Sequence, residues 1–79
     1  MQQMKMLNSY RLQKVSDVTT DSIAIEVTDQ DFQTILGLWR GQDGMLNVEF
    51  HPSCVEYGVS IELLQRMLTE AKTRLLAEE

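Results

Sequence analysis

A single cysteine, a single histidine, a single proline and an aromatic content of 6% leave few residues from which to build a reactive site. One thiol, Cys54, closes no internal disulfide, and Cys54 with His51 falls short of the four paired ligands of a structural zinc site. Gly37, Gly41, Gly44 and Gly58 match neither the P-loop nor the dinucleotide fingerprint, which excludes the common phosphate cradles. Uninterrupted apolar runs extend only a few residues, against the ~20 of a membrane-crossing helix. No basic stretch followed by an apolar one marks a secretory signal, and repeats and low-complexity segments are missing. The expectation is a cytoplasmic chain, off the membrane, with no cofactor and no metal.

What is present is ordinary for a globular protein: 79 residues, 43% apolar and 24% charged. This length supports one domain over residues 1–79, with a stability of about 4–12 kcal/mol at ~0.05–0.15 kcal/mol per residue. So thin a core is readily supplemented by self-association, and a homodimer is expected.

The net charge of −5 is unevenly spread. Residues 1–14 carry Lys5, Arg11 and Lys14 and no acid, whereas residues 15–65 carry nine acids against Arg40 alone, a local charge of −8. Residues 66–79 balance. Three bases against nine acids are no nucleic-acid footprint, so direct nucleic-acid binding is not expected. An acidic middle segment instead steers association with a basic partner.

Periodicity assigns the elements. Ile61, Leu64, Leu68, Ala71 and Leu75 recur in steps of three and four, predicting a C-terminal amphipathic helix capped by Ser60, with Glu62 in its first turn. Pro52-Ser53 followed by Glu56 predicts a short turn at 53–57 that breaks near Gly58. Phe32, Ile35, Leu36 and Trp39 share the same spacing, so a second, shorter helix is predicted there, with Thr28 as its cap and Asp29 and Asp31 in its first turn. Gly37 weakens that helix, which would then depend on packing Phe32 and Trp39 against a sheet. Gln42-Asp43-Gly44 supplies turn chemistry. Ile23, Ile25 and Val27 alternate, as do Leu46, Val48 and Phe50, predicting two strands with one wet face each. Residues 1–15 read as strand or helix, with Tyr10, Leu12 and Val15 favouring a strand that turns through 16–21 into Ile23 as a hairpin. The expected fold is α+β, about three strands with two helices on one face, in the order β-β-α-β-α or, with a helical start, α-β-α-β-α.

His51 and Cys54 stand three apart at the end of a strand, where functional loops often sit. A nucleophile pair would need a stabilised thiolate in reach of the imidazole, and Pro52 leaves their directions undefined, so they read as a strand-end histidine and a space-filling thiol, with no catalytic residue assigned. Asp29 and Asp31 resemble half a divalent-cation site, but helix capping accounts for them.

The leading expectation is a non-enzymatic regulatory or inhibitor protein acting by protein–protein contact, of a size and charge common among phage and mobile-element products. Its acids Asp29, Asp31, Asp43, Glu49 and Glu56, with Asp17 and Asp21, would meet a basic, normally nucleic-acid-binding surface, while Leu63 and Met67 on the last helix offer apolar contact beside Leu76. Met1, Met4 and Met6 with Leu7 suit a partner surface or a swapped arm. The alternatives are a ligand-binding module with a pocket near Trp39, His51, Cys54 and Tyr57 between sheet and helices, and a minor subunit of a larger assembly.

Overall fold

The computed structural model describes residues 5–17 and 22–79. Met1, Met4, Asp21, the side chain of Asp17 and most of the 16–21 turn lie outside the described residues. Strands β1 (Lys5–Met6), β2 (Arg11–Asp17), β3 (Ser22–Thr28), β4 (Thr34–Arg40) and β5 (Leu46–Phe50) are followed by a 3-10 turn at Pro52–Glu56, strand β6 (Tyr57–Gly58) and helix α1 (Ile61–Glu78). The four longer strands form an antiparallel meander in the order β2-β3-β4-β5, and β1 pairs parallel with β6. One helix covers one face of the four-stranded sheet, a small α+β arrangement. No described helix is long and apolar enough to cross a membrane.

Register assigns every side chain to a face, because successive residues alternate and paired residues share a side. Ile25 pairs with Leu38 and Val27 with Leu36, and these four meet Met67, Ala71 and Leu75 of α1 in the core together with Leu7. Leu12 on β2 and Leu46, Val48 and Phe50 on β5 point the same way. Gln13, Glu26, Gly37 and Glu49 are paired across the four strands on the opposite face, which the helix leaves uncovered.

The helix predicted across Phe32–Trp39 is instead strand β4 at Thr34–Arg40. Phe32, Ile35, Leu36 and Trp39 satisfy a helical stripe, but Ile35, Leu36 and Leu38 equally suit a buried strand, since a short apolar run carries no decisive period. The neighbours decide it: β4 lies between β3 and β5, its residues Ile35, Leu36, Gly37 and Leu38 are all buried, and β-branched Thr34 and Ile35 suit a strand. Three corrections follow. The sheet has four strands and one helix covers it; Thr28 ends β3 and caps nothing; and Phe32 and Trp39, expected to pack inward, are 64% and 40% exposed.

Local signals elsewhere match the structure. Residues 11–17 form the first arm of a hairpin with β3, as the strand reading of the N-terminal segment expects. Gly41 N–H donates to Met45 O at 2.8 Å to close the β4–β5 turn, and Gly44 there takes φ 86°, which glycine alone adopts freely. Ser60 Oγ accepts from Leu63 N–H at 3.0 Å at the start of α1. The buried stripe of α1 keeps Ala71 and Leu75 of the predicted one, with Leu64 and Leu68 half-buried against the core, but it adds Met67 and leaves Ile61 out. Met67, Ala71 and Leu75 are buried, while Ile61 is 70% exposed.

A bulge interrupts the β3–β4 ladder, where Val27 pairs with Leu36 but Thr28 with Thr34. Thr28 is buried, and its Oγ1 has no hydrogen-bond partner among the described residues. An unsatisfied buried hydroxyl costs about 1–3 kcal/mol, so Thr28→Val is expected to stabilise the fold by about 1 kcal/mol, raising Tm by roughly 4–8 °C in a thermal melt. A lowered Tm would show that the hydroxyl is satisfied.

Candidate interaction face

The face of the sheet away from α1 carries the chemistry that the core does not use. Glu26 on β3 and Glu49 on β5 flank Gly37 on β4 in one register row, which sets the two acidic strand positions about 10 Å apart at two strand spacings. Trp39 lies two residues along β4 on the same face, opposite Asn47. Glu26 Oε1 accepts from Thr34 Oγ1 at 3.3 Å, which orients one carboxylate, while Glu49 is exposed.

Charge on the sheet is sorted by face. Lys14 and Arg40 belong to the helix side, where Lys14 Nζ lies 3.0 Å from Glu78 and Arg40 Nε 2.7 Å from Glu79. Lys14 holds the Glu78 carboxyl below the usual range, and Arg40 does the same for Glu79. Arg74 adds a weaker contact to Glu78 at 3.6 Å. These pairs occupy the terminal acids, so Glu26, Asp31, Asp43, Glu49, Glu56 and Glu62 enter no ion pair among the described residues. The acidity of the middle segment is therefore unneutralised. Among the described strand residues, Arg11 is the one base on the open face, and its guanidinium stacks 4.9 Å from the centroid of Phe32.

Asp29 behaves differently from the role expected of it. It is 4% exposed, and its Oδ1 accepts from the backbone N–H of Asp31 and of Gln33, both at 2.9 Å, shaping the β3–β4 loop. Its Oδ2 accepts from Tyr57 Oη at 2.7 Å, fastening the loop to β6. The hydrogen bond from Tyr57, then those from Gln33 and Asp31, hold the Asp29 carboxyl below its ordinary range, and the same bond with Asp29, helped by burial, pushes the Tyr57 phenol up to about 12. Phe32 pays for this loop with φ 63°, a left-handed backbone that a bulky residue rarely takes.

The other predicted contact residues divide. Asp31, Asp43, Glu49 and Glu56 are exposed, with Asp43 Oδ1 also accepting from Met45 N–H at 3.0 Å. Met67 is a core residue, and Leu63 is half-buried against that core, so neither offers the free apolar surface expected of it. Trp39, His51, Cys54 and Tyr57 do not share a pocket between sheet and helix. Trp39 lies on the uncovered face, beside a cavity with Gly41, Gln42, Asp43 and Asn47, whereas Tyr57 lines another with Asp29 and Leu7. His51 and Cys54 are linked through the backbone, Cys54 N–H donating to His51 O. No group of three or more metal-ligating side chains occurs among the described residues.

The alignment of Glu26 with Glu49 and the exposure of Phe32 have no local signal in the sequence. The alternation around Ile25 already places Glu26 on a wet face, but only strand pairing shows that Glu49 joins it. Phe32 fits a core position by its spacing, and the loop conformation that displays it has no local signature. The chain matches no protein-family model, no curated protein and no solved structure, so the functional reading rests on these residues and their geometry.

Proposed function

We propose that this is a small non-enzymatic regulatory or inhibitor protein that works by protein–protein contact, receiving a basic partner on the open face of its sheet. The observation that carries this reading is the row of Glu26 and Glu49 astride Gly37, in ion pair with no base among the described residues and bordered by Trp39. A lysine or arginine side chain laid there gains two carboxylates and an aromatic face for cation–π contact, the combination that rewards a cationic group most. A rigid sheet holds these groups without the ordering cost that a flexible loop would add. A partner surface that ordinarily binds nucleic acid presents the matching charge.

The test is an NMR titration of the labelled protein with an oligo-arginine peptide, compared with the Glu26→Lys/Glu49→Lys double variant. Shifts are expected to concentrate on Glu26, Gly37, Trp39 and Glu49, and the double variant is expected to bind about tenfold or more weakly, with a shallower salt dependence. Glu62→Lys, which reverses an exposed charge on α1, should retain most of the affinity. Equal losses from the single variants Glu49→Lys and Glu62→Lys, which change the charge by the same amount, would reduce the effect to net charge and overturn the assignment to this face.

A further inference from the structure

We propose that the protein pairs with a second copy of itself along the outer edge of β5, in antiparallel register about Val48, joining two four-stranded sheets into one of eight. The inference does not rest on the basic-partner reading: the two share Glu49 alone, and the dimer is argued from the backbone edge and the helix side of β5.

The hydrogen-bond parity of β5 defines the edge. His51 N–H donates to Ile35 O and Gly41 N–H to Met45 O, so the residues of β5 in step with them, Asn47 and Glu49, turn their backbone groups toward β4. Leu46, Val48 and Phe50 therefore turn theirs outward, and no described strand pairs with them. The side chains of these same three residues lie on the helix side, where α1 packs over β3 and β4 and leaves β5 largely uncovered. Val48 is 43% and Phe50 59% exposed as a result. Unpaired backbone and uncovered apolar side chains coincide on one strand.

That strand is complementary to itself. A two-fold axis through the Val48 pair sets Val48 against Val48, Leu46 against Phe50 and Asn47 against Glu49, so every apolar residue meets an apolar one and the sole charge of β5 meets an amide. The opposite edge behaves otherwise. The same operation on β2 centres on Lys14 and sets two ammonium groups against each other at the axis, with Arg11 and Asp17 opposed at the ends; a lysine at that position is a common device for keeping an edge single. Depth agrees with register, too. Leu38, Leu46, Val48, Leu68 and Lys72 line a groove of about 200 Å³ between β5 and α1, next to the position that the second copy's Phe50 takes opposite Leu46. A cavity of ~150 Å³ holds benzene, so a phenyl ring fits. The axis stands perpendicular to the sheet, which places both helices on one side and both acidic open faces on the other.

Sedimentation equilibrium on the full chain, from micromolar to millimolar concentration, is expected to show a monomer–dimer equilibrium. Val48→Lys should weaken it about tenfold or more by opposing two ammonium groups at the axis, while Gln13→Lys on the β2 edge leaves it unchanged. Circular dichroism checks that Val48→Lys retains the fold. In the unsubstituted protein, the amide hydrogens of Leu46, Val48 and Phe50 should exchange freely when dilute and gain protection as concentration rises. A monomer throughout the range overturns the proposal, as does a dimer whose β5 amides stay unprotected or whose affinity Val48→Lys does not change.

Discussion

Met67→Ala is expected to lower the free energy of unfolding by about 2–5 kcal/mol, whereas Ile61→Ser is expected to change it by roughly 0.5 kcal/mol or less. The two residues lie on the same helix and differ in what they touch. Met67 is 1% exposed in the cluster of Ile25, Val27, Leu36 and Leu38, so truncating it leaves a cavity that the surrounding strands cannot close. Ile61 begins α1 on the solvent side. Against a total stability of about 4–12 kcal/mol for a chain of this length, the loss at Met67 is a large share, and at ~4–8 °C per kcal/mol it brings the melting transition down steeply. Thermal and denaturant unfolding of both variants decides the matter. A larger loss at Ile61 than at Met67 would mean that α1 seats Ile61 rather than Met67 on the sheet, and would overturn this assignment of its buried face.

Asp29→Asn is expected to lower Tm by several degrees at neutral pH and to weaken the dependence of stability on acid. The wild-type carboxylate accepts from Asp31 N–H, Gln33 N–H and Tyr57 Oη, and each of these bonds favours the ionised form. A carboxyl whose folded value lies below its unfolded value of ~3.9 contributes stability that is fully present above ~pH 5 and disappears as pH falls through the folded value. Glu78 and Glu79 are depressed as well, by Lys14 and Arg40, so the global acid transition sums several groups. Site-specific NMR titration isolates the one in question. Because the bond from Tyr57 is the largest cause of the shift, Tyr57→Phe should return the Asp29 titration toward the ordinary carboxylate range. At the alkaline end the sign reverses: the Tyr57 phenol is raised to about 12, so its bond to Asp29 stabilises the fold below ~pH 10 and is lost as pH climbs through about 12. An Asp29 that titrates identically in wild type and Tyr57→Phe would sever the loop from β6.

How much of the fold a local stretch of sequence encodes follows the range of the forces involved. Signals carried by neighbours in the chain read correctly: Ser60 capping α1, Gln42-Asp43-Gly44 turning between strands, and the alternation of Ile23, Ile25 and Val27 and of Leu46, Val48 and Phe50. Each depends on hydrogen bonds or steric preferences within a few residues. Segment 32–39 read wrongly because its apolar spacing fits two periods, and the energy that separates them comes from β3, β5 and α1 packing around it. The proposed interaction face shows the same division. Glu49 was legible as an exposed acid, yet its companionship with Glu26 across Gly37 exists only after three strands have paired.

By itself, the sequence determined a small α+β chain with an acidic middle segment, two alternating strands and a capped C-terminal helix, all consequences of composition and local geometry. Tertiary structure alone decided that residues 34–40 are a central strand, that α1 buries Met67 and exposes Ile61, and that Asp29 fastens a loop while Glu26 and Glu49 face outward. The physical reason is that burial and register are properties of pairs distant in the chain. A side chain's spacing offers it two faces, and only the partner strand or helix determines which one leaves water.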